Sequence, residues 1–329
     1  MKKIKILVLI SIISLLLFVT PASARTLQVG HVLAPTHPYQ TGLEKFAELV
    51  AEKTDGDLEI QVYHSSQLGD EREMIESLQF GVLDMSLVST APLSGFTKKF
   101  QVFDLPFIFQ TREEAYAVLD GEIGTELLES LEEKNIIGLT YWENGFRHVT
   151  NSKRKIEKPG DLKGLKIRLM QNPVHMDSFK AMGALPTPMG FGELFTAMQQ
   201  GTVDGQENPL PIIDTSKFYE VQEYLSLTGH FYAASPLLVS KSVWQSLSES
   251  EQNAIQEAAY EARDFERNLV KKMDNELVDD LKEKGLEITE VDKSIFQEAT
   301  SSVYDKYEDQ IGTELLNRVL NKVKEVRNN

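Results

Sequence analysis

Two arginines carry the chemistry that this 329-residue chain advertises most plainly. Arg147 follows the aromatic run Tyr141-Trp142 and Phe146, and Arg168 ends the apolar stretch Leu165-Lys166-Ile167; no acid follows either within several residues. A guanidinium keeps its charge at any physiological pH and presents parallel N–H groups that match a carboxylate. An arginine at the mouth of an apolar strand therefore needs an anion. Either a distant Asp or Glu of the chain supplies it, or both arginines share the acid group of a ligand. Asn208, between Glu207 and Pro209, suits an amide contact to such a group or a plain turn. Other chemistries lack their patterns. There is no Gly-x-Ser-x-Gly elbow, phosphate loop, dinucleotide fingerprint or His-Glu-x-x-His helix. The six His residues lack metal-ligand spacing, so neither a metal nor a cofactor is expected.

The elements that must position these arginines read as an α/β chain. Leu27 to Val32 alternates as a strand, a helix with Leu43, Phe46, Ala47 and Val50 on one face follows, and Leu58 to Val62 is the next strand. A short helix carrying Met74, Ile75 and Leu78 stops at Gly81 before the strand Val82 to Val88. That order predicts a parallel sheet. Ile136 to Trp142 is a strand, and Asn144-Gly145 marks a turn into a new segment, where the first crossing between lobes is expected. The pattern then repeats: strand Leu165 to Met170, a helix capped by Asn172-Pro173, a helix Glu193 to Gln200 closed by Gly201, strand Thr202 to Gln206, and strand Ser235 to Ser240. Ser248 to Glu251 is a capping box, and the amphipathic pattern behind it runs to about Gly285, long enough to lie across both lobes. More helix is expected from Val291 onward.

An internal similarity supports two lobes. Glu73 to Asp84 and Glu193 to Asp204 share Glu, Gln, Gly and Asp at the same offsets, each spelling helix, Gly and strand. Any unit of that kind can look so; a duplicated half is the richer reading, and it brings the strand tips after Asp84 and Asp204 to one cleft. The expected division is lobe I at 25–145 plus about 235–270, and lobe II at 146–234 plus about 271–329.

Composition narrows the setting. Met1 to Lys5 is basic, Ile6 to Val19 is almost wholly apolar, and Pro21 to Ala24 has a small-x-small cleavage form, so 1–24 reads as a cleaved signal peptide, with an uncleaved anchor as the alternative. Without its three Lys the remainder has 31 basic against 50 acidic residues, a formal charge of about −19. Such a surface disfavours nucleic acid and anionic lipid, and any anion site must be built from local arginines. With no Cys there is no disulfide and no lipid attachment point, so a freely soluble periplasmic protein is expected, not inserted in the membrane once the signal is removed.

Gln67-Leu68-Gly69-Asp70, Gly145-Phe146-Arg147, Asp161 to Arg168, Gly183-Ala184, Glu193 to Gly201, Val203 to Pro209 and Glu220-Val221 together resemble the solute-binding proteins of TRAP (tripartite ATP-independent periplasmic) transporters, of the dicarboxylate-binding type. The resemblance spans the whole chain after the signal. It implies a two-lobed α/β periplasmic-binding-protein-like fold with a hinge and a long lobe-spanning helix. The implied role is capture of a small carboxylate ligand and its delivery to a permease of small and large membrane subunits, without catalysis. By position, Arg168 looks like the family's carboxylate-pairing arginine, Arg147 the second partner, Asn208 the amide on the same group and Phe191 an aromatic wall. Ser89 stands where sialic-acid-binding relatives have an acidic contact. Glu71 and Glu73 could receive ligand hydroxyls. The expected cargo is a C4-dicarboxylate, with a sugar acid such as a uronate as the alternative; a secreted enzyme acting on acidic sugars is the competing class.

Overall fold

The structure, a computed structural model, describes residues 24–328; the apolar leader lies outside the described residues. Among the described residues nine strands form one mixed sheet: β1 (Arg25–Gly30), β2 (Leu58–Tyr63), β3 (Met85–Leu87), β4 (Ile136–Asn151), β5 (Lys166–Leu169), β6 (Leu185–Pro188), β7 (Gly205–Asn208), β8 (Tyr224–Ser240) and β9 (Glu287–Thr289). The spatial order is β2-β1-β3-β8-β4-β7-β5-β6, with β9 beside β8. One parallel trio, β2-β1-β3, lies on one side. A second, β7-β5-β6, lies on the other. The long antiparallel pair β4 and β8 joins them, because β3 pairs the end of β8 and β7 pairs the end of β4.

The duplication seen in the sequence is a duplication in space. In the first half, α1 (Pro38–Lys53) and α2 (Glu71–Gln79) connect the trio. After α3 (Arg112–Leu119) and α4 (Glu122–Glu129), the second half repeats the arrangement with α5 (Pro173–Ala181) and α6 (Leu194–Gln199). Gly81 and Gly201 take the same left-handed conformation, φ +68 and +69. The next aspartates do the same work. Asp84 accepts the Gln28 backbone N–H at 2.8 Å, and Asp204 accepts that of Lys166 at 2.9 Å, each tying its strand to the first strand of its trio.

Two expectations about the strands need correction. Asn144-Gly145 does not turn the chain; β4 continues unbroken through it to Asn151, and β8 starts at Tyr224 rather than Ser235. The register slips between Gly138 and Thr140, Glu143 and Gly145, and Arg147 and Val149, and Gly145 absorbs its slip with φ +115. These bulges fall where β4 passes from one half to the other. The strand β6 was not evident either, since Pro186 and Pro188 look like loop; they are tolerated because β6 is an edge strand.

The long helix α7 (Glu249–Glu283) forms as its pattern predicts, opened by the reciprocal Ser248–Glu251 capping box. Its 35 residues span about 52 Å at 1.5 Å per residue, packing on α1, on β4 and on residues 210–215 of the second half. After α8 (Lys293–Thr300), α9 (Ser302–Ile311) packs against residues 98–104 and α10 (Thr313–Arg327) against α3. The apolar stripe Leu315, Leu316, Val319 and Val323 joins the core that also holds Ala115, Val118 and Leu127. Arg318–Glu126 at 2.6 Å and Arg327–Glu114 at 2.8 Å fix its edges. A smaller core around Ile167, Leu169, Phe179, Phe231 and Phe296 belongs to the second half. No helix among the described residues is long and apolar enough to cross a membrane.

Candidate functional site

The strand ends of both trios open on one cleft. A narrow space lies there, walled by Tyr39, Glu71, Ser89 and Asn144 on one side and by Arg168, Phe191 and Asn208 on the other, with Arg147 between. A second space, sharing Glu71, Arg168 and Phe191, forms its mouth. Loops at the carboxyl ends of parallel strands are where open α/β sheets place ligands.

Arg168 is third in β5, with 2% of its surface exposed. Its Nε and Nη2 donate to the Met189 carbonyl oxygen at 3.1 and 2.9 Å, and Nη1 is buried with no partner. No acid among the described residues pairs with it. Burial and the neighbouring Arg147 bring its pKa down to about 10, so it stays charged at neutral pH in a setting that favours an added anion. The Phe191 ring lies 5.9 Å from the guanidinium carbon, a cation–π wall for the same group.

Arg147 behaves differently. Its Nε and Nη2 grip both oxygens of Glu207, at 2.6 and 2.8 Å, and Nη2 also donates to the Glu207 carbonyl oxygen at 2.7 Å and to Asn208 Oδ1 at 3.0 Å. The structural ion pair weighed from the sequence is therefore real, yet Nη1 is still buried without a partner. Burial pushes the Glu207 carboxyl up, but Arg147 and the His230 ring 3.2 Å away outweigh it and hold the acid below the usual carboxylate range. The site thus presents two dry guanidinium nitrogens, one on a braced arginine and one on an arginine without a carboxylate.

The remaining expected residues divide. Phe191, Asn208 and Ser89 line the cavity. The Asn208 amide nitrogen donates to Gln206 Oε1, so its carbonyl braces Arg147 and its N–H is engaged within the chain. Ser89 donates its backbone N–H to Glu71 Oε1 at 2.7 Å and accepts from Asn144 Nδ2 at 3.0 Å. Glu73 does not line the cleft: it closes a capping box with Asp70 at the start of α2, its carboxylate turned back on the Asp70 N–H at 2.9 Å. Glu71, two residues earlier, takes that place, and burial pushes its carboxyl up. Tyr39 and Asn144 were not singled out from the sequence. Tyr39 bonds Ser235 through its hydroxyl, and Asn144 leaves Oδ1 buried and unpaired, an acceptor for a hydroxyl donor. Asn-Gly spelled a turn, which concealed it.

A cleft between two halves that carries buried cationic donors is the arrangement of a two-lobed binding protein. The chain belongs to the family described as bacterial extracellular solute-binding protein, family 7, matched over residues 29–310; its members are solute-binding proteins of TRAP transporters and not enzymes. It is 43% identical to a TRAP periplasmic solute-binding protein from Polaromonas sp. JS666 bound to D-erythronate, at a TM-score of 0.88 over 90% of this chain and 98% of that one. With the sugar acid binding protein DctPAm of Advenella mimigardefordensis in complex with galactonate, the identity is 39% and the TM-score 0.90 over 92% and 99% of the two chains. The C4-dicarboxylate-binding periplasmic protein DctP of Rhodobacter capsulatus is 34% identical over 305 residues, 90% of this chain and 91% of the relative.

Proposed function

We propose that this protein captures a small hydroxy acid or sugar acid by its carboxylate and hands it to a membrane permease. The observation that carries the proposal is the pair of buried, unpartnered Nη1 atoms of Arg147 and Arg168 on one cavity. Leaving such donors unpaired is costly, and a carboxylate satisfies both with charge-assisted bonds. The far wall is rich in acceptors: Glu71, Ser89 and the unpaired Asn144 Oδ1 suit hydroxyl donors, whereas a second carboxylate there would meet Glu71. The relatives from Polaromonas and Advenella, bound to D-erythronate and galactonate, favour the same class. A C4-dicarboxylate is the second reading, favoured by the likeness to DctP.

In this reading the chain is exported to the periplasm, loses its leader, and closes its two lobes about the bulged crossing of β4 and β8. The small and large permease subunits then receive the acid. Thermal-shift titration with galactonate, erythronate, glucuronate and succinate tests the reading. A rise in melting temperature with one of the hydroxy acids, absent in Arg168→Ala, is expected. A response to succinate alone moves the cargo to the dicarboxylates, and no response to any carboxylate rejects the proposal.

A further inference from the structure

The turns that open on the mouth of the cleft occupy corresponding places in the two halves. With the offset that aligns Glu73 and Glu193, Asp70 aligns with Gly190, Glu71 with Phe191 and Arg72 with Gly192. The two copies belong to opposite halves, and Asp70 and Gly190 border the same outer space. Neither Gly190 nor Gly192 has a positive φ, so the backbone itself does not ask for glycine. At Gly190 the neighbouring half does. A Cβ on Gly190 would lie 2.9 Å from Asp70 Oδ2 and 3.5 Å from Asp70 Cβ, and one on Gly192 would meet Ser66 Oγ at 3.6 Å. Asp70 is not free to swing aside, because its Oδ1 accepts the Glu73 N–H at 2.9 Å and its own N–H is held by the Glu73 carboxylate.

From this contact we infer that Asp70 and Gly190 form the seam along which the two halves meet, a pinned carboxylate rim on one side seated in a glycine notch on the other. The seam sets how long a captured acid is retained, acting at the mouth and not on the carboxylate. This inference rests on the ligand-capture reading above, and its test separates the two.

The chain has no Cys, and a Cβ separation of 3.5 Å falls within the range of about 3.5–4.5 Å that a disulfide spans. The double variant Asp70→Cys with Gly190→Cys is expected to cross-link faster with galactonate than without. Its oxidised form should be as compact in X-ray scattering as the wild type with ligand, and reduction should reverse this. Failure to cross-link in a folded chain, or a cross-linked chain no more compact than the reduced one, overturns the seam.

A second variant, Gly190→Leu, should bind galactonate roughly tenfold or more weakly, mostly through a faster off-rate, with the unliganded melting temperature unchanged. Asp70→Ser keeps a helix-capping side chain and clears the rim, so in the same chain it should restore part of the affinity. Wild-type affinity in Gly190→Leu contradicts the inference. If wild-type protein binds no galactonate, the ligand reading is what fails; the scattering of the oxidised double variant alone then supports or overturns the seam.

Discussion

The two halves of the sheet are built on one plan and put to different use. From 81 to 90 and from 201 to 210 the same sequence of exposed and buried positions recurs, with glycines at 81 and 201 in matching conformations and aspartates at 84 and 204 making the same backbone bond. The differences concentrate at the cleft. In the register set by Val29 opposite Met85 and Ile167 opposite Gly205, Gly30 of β1 corresponds to Arg168 of β5. Glu71 likewise corresponds to Phe191, and Asp70 to Gly190. The scaffold is repeated, and the second half alone received the cation and its aromatic wall. In the proposed reading, recognition resides where the repeat is broken, and stability where it is kept.

Substitutions can break that contrast in order of size. Arg147→Ala should be the most damaging, because it strands the buried Glu207 carboxylate; a loss of about 3–5 kcal/mol of folding stability is expected in denaturant melts. Arg168→Ala should cost folding less, since the bonds to the Met189 carbonyl and the cation–π contact with Phe191 are lost but no buried acid is stranded. Its affinity for the acid should fall by about 2–5 kcal/mol in calorimetric titration, with Arg168→Lys recovering only part. Asp84→Ala and Asp204→Ala should each cost a similar amount, about 2 kcal/mol, because they remove equivalent bonds to backbone N–H groups. A large inequality between them would count against equivalent scaffolds. Phe191→Ala should cost the free protein about 1 kcal/mol, read as a lower melting temperature, because the cation–π contact with Arg168 is already made there, and should also weaken binding by removing the wall beside the guanidinium.

Carboxyls of the two halves also titrate in opposite senses. Glu207 is held below its ordinary value of 4.5, so its contribution to stability is fully present above that pH and is lost on acidification toward the lower folded value. Glu71 is raised above 4.5, so it opposes folding increasingly as the pH rises through that value toward its higher folded one. Melting temperatures across about pH 4 to 7 should therefore rise for Glu71→Gln relative to wild type at the upper end and converge at the lower. Parallel curves would show that Glu71 is not strained by burial.

Much of this was legible in the sequence, for identifiable reasons. Periodicity and a capping box were enough for α7, and the Glu-Gln-Gly-Asp spacing was enough for the duplicated unit. Arg147 and Arg168 stood out because charge beside apolar strand demands a partner. What stayed hidden depended on long-range pairing. The passage of β4 through Asn144-Gly145 is held by β8, some ninety residues away in the chain. The two prolines of β6 are acceptable only because no strand lies outside it. Arg147 and Glu207 lie 60 residues apart and Tyr39 and Ser235 lie 196 apart, and no local signal marks Tyr39 or Asn144 as cleft residues. Glu73 was misplaced by the opposite effect: its local bond to Asp70 outcompeted any role in the cleft.

A crystal structure of the complex with the acid that gives the largest thermal shift bears most directly on the central claim. The ligand carboxylate should accept hydrogen bonds from Nη1 of both Arg147 and Arg168, with hydroxyls toward Glu71 and Asn144. A carboxylate bound elsewhere, with those two nitrogens turned to an acid of the chain itself, would contradict it.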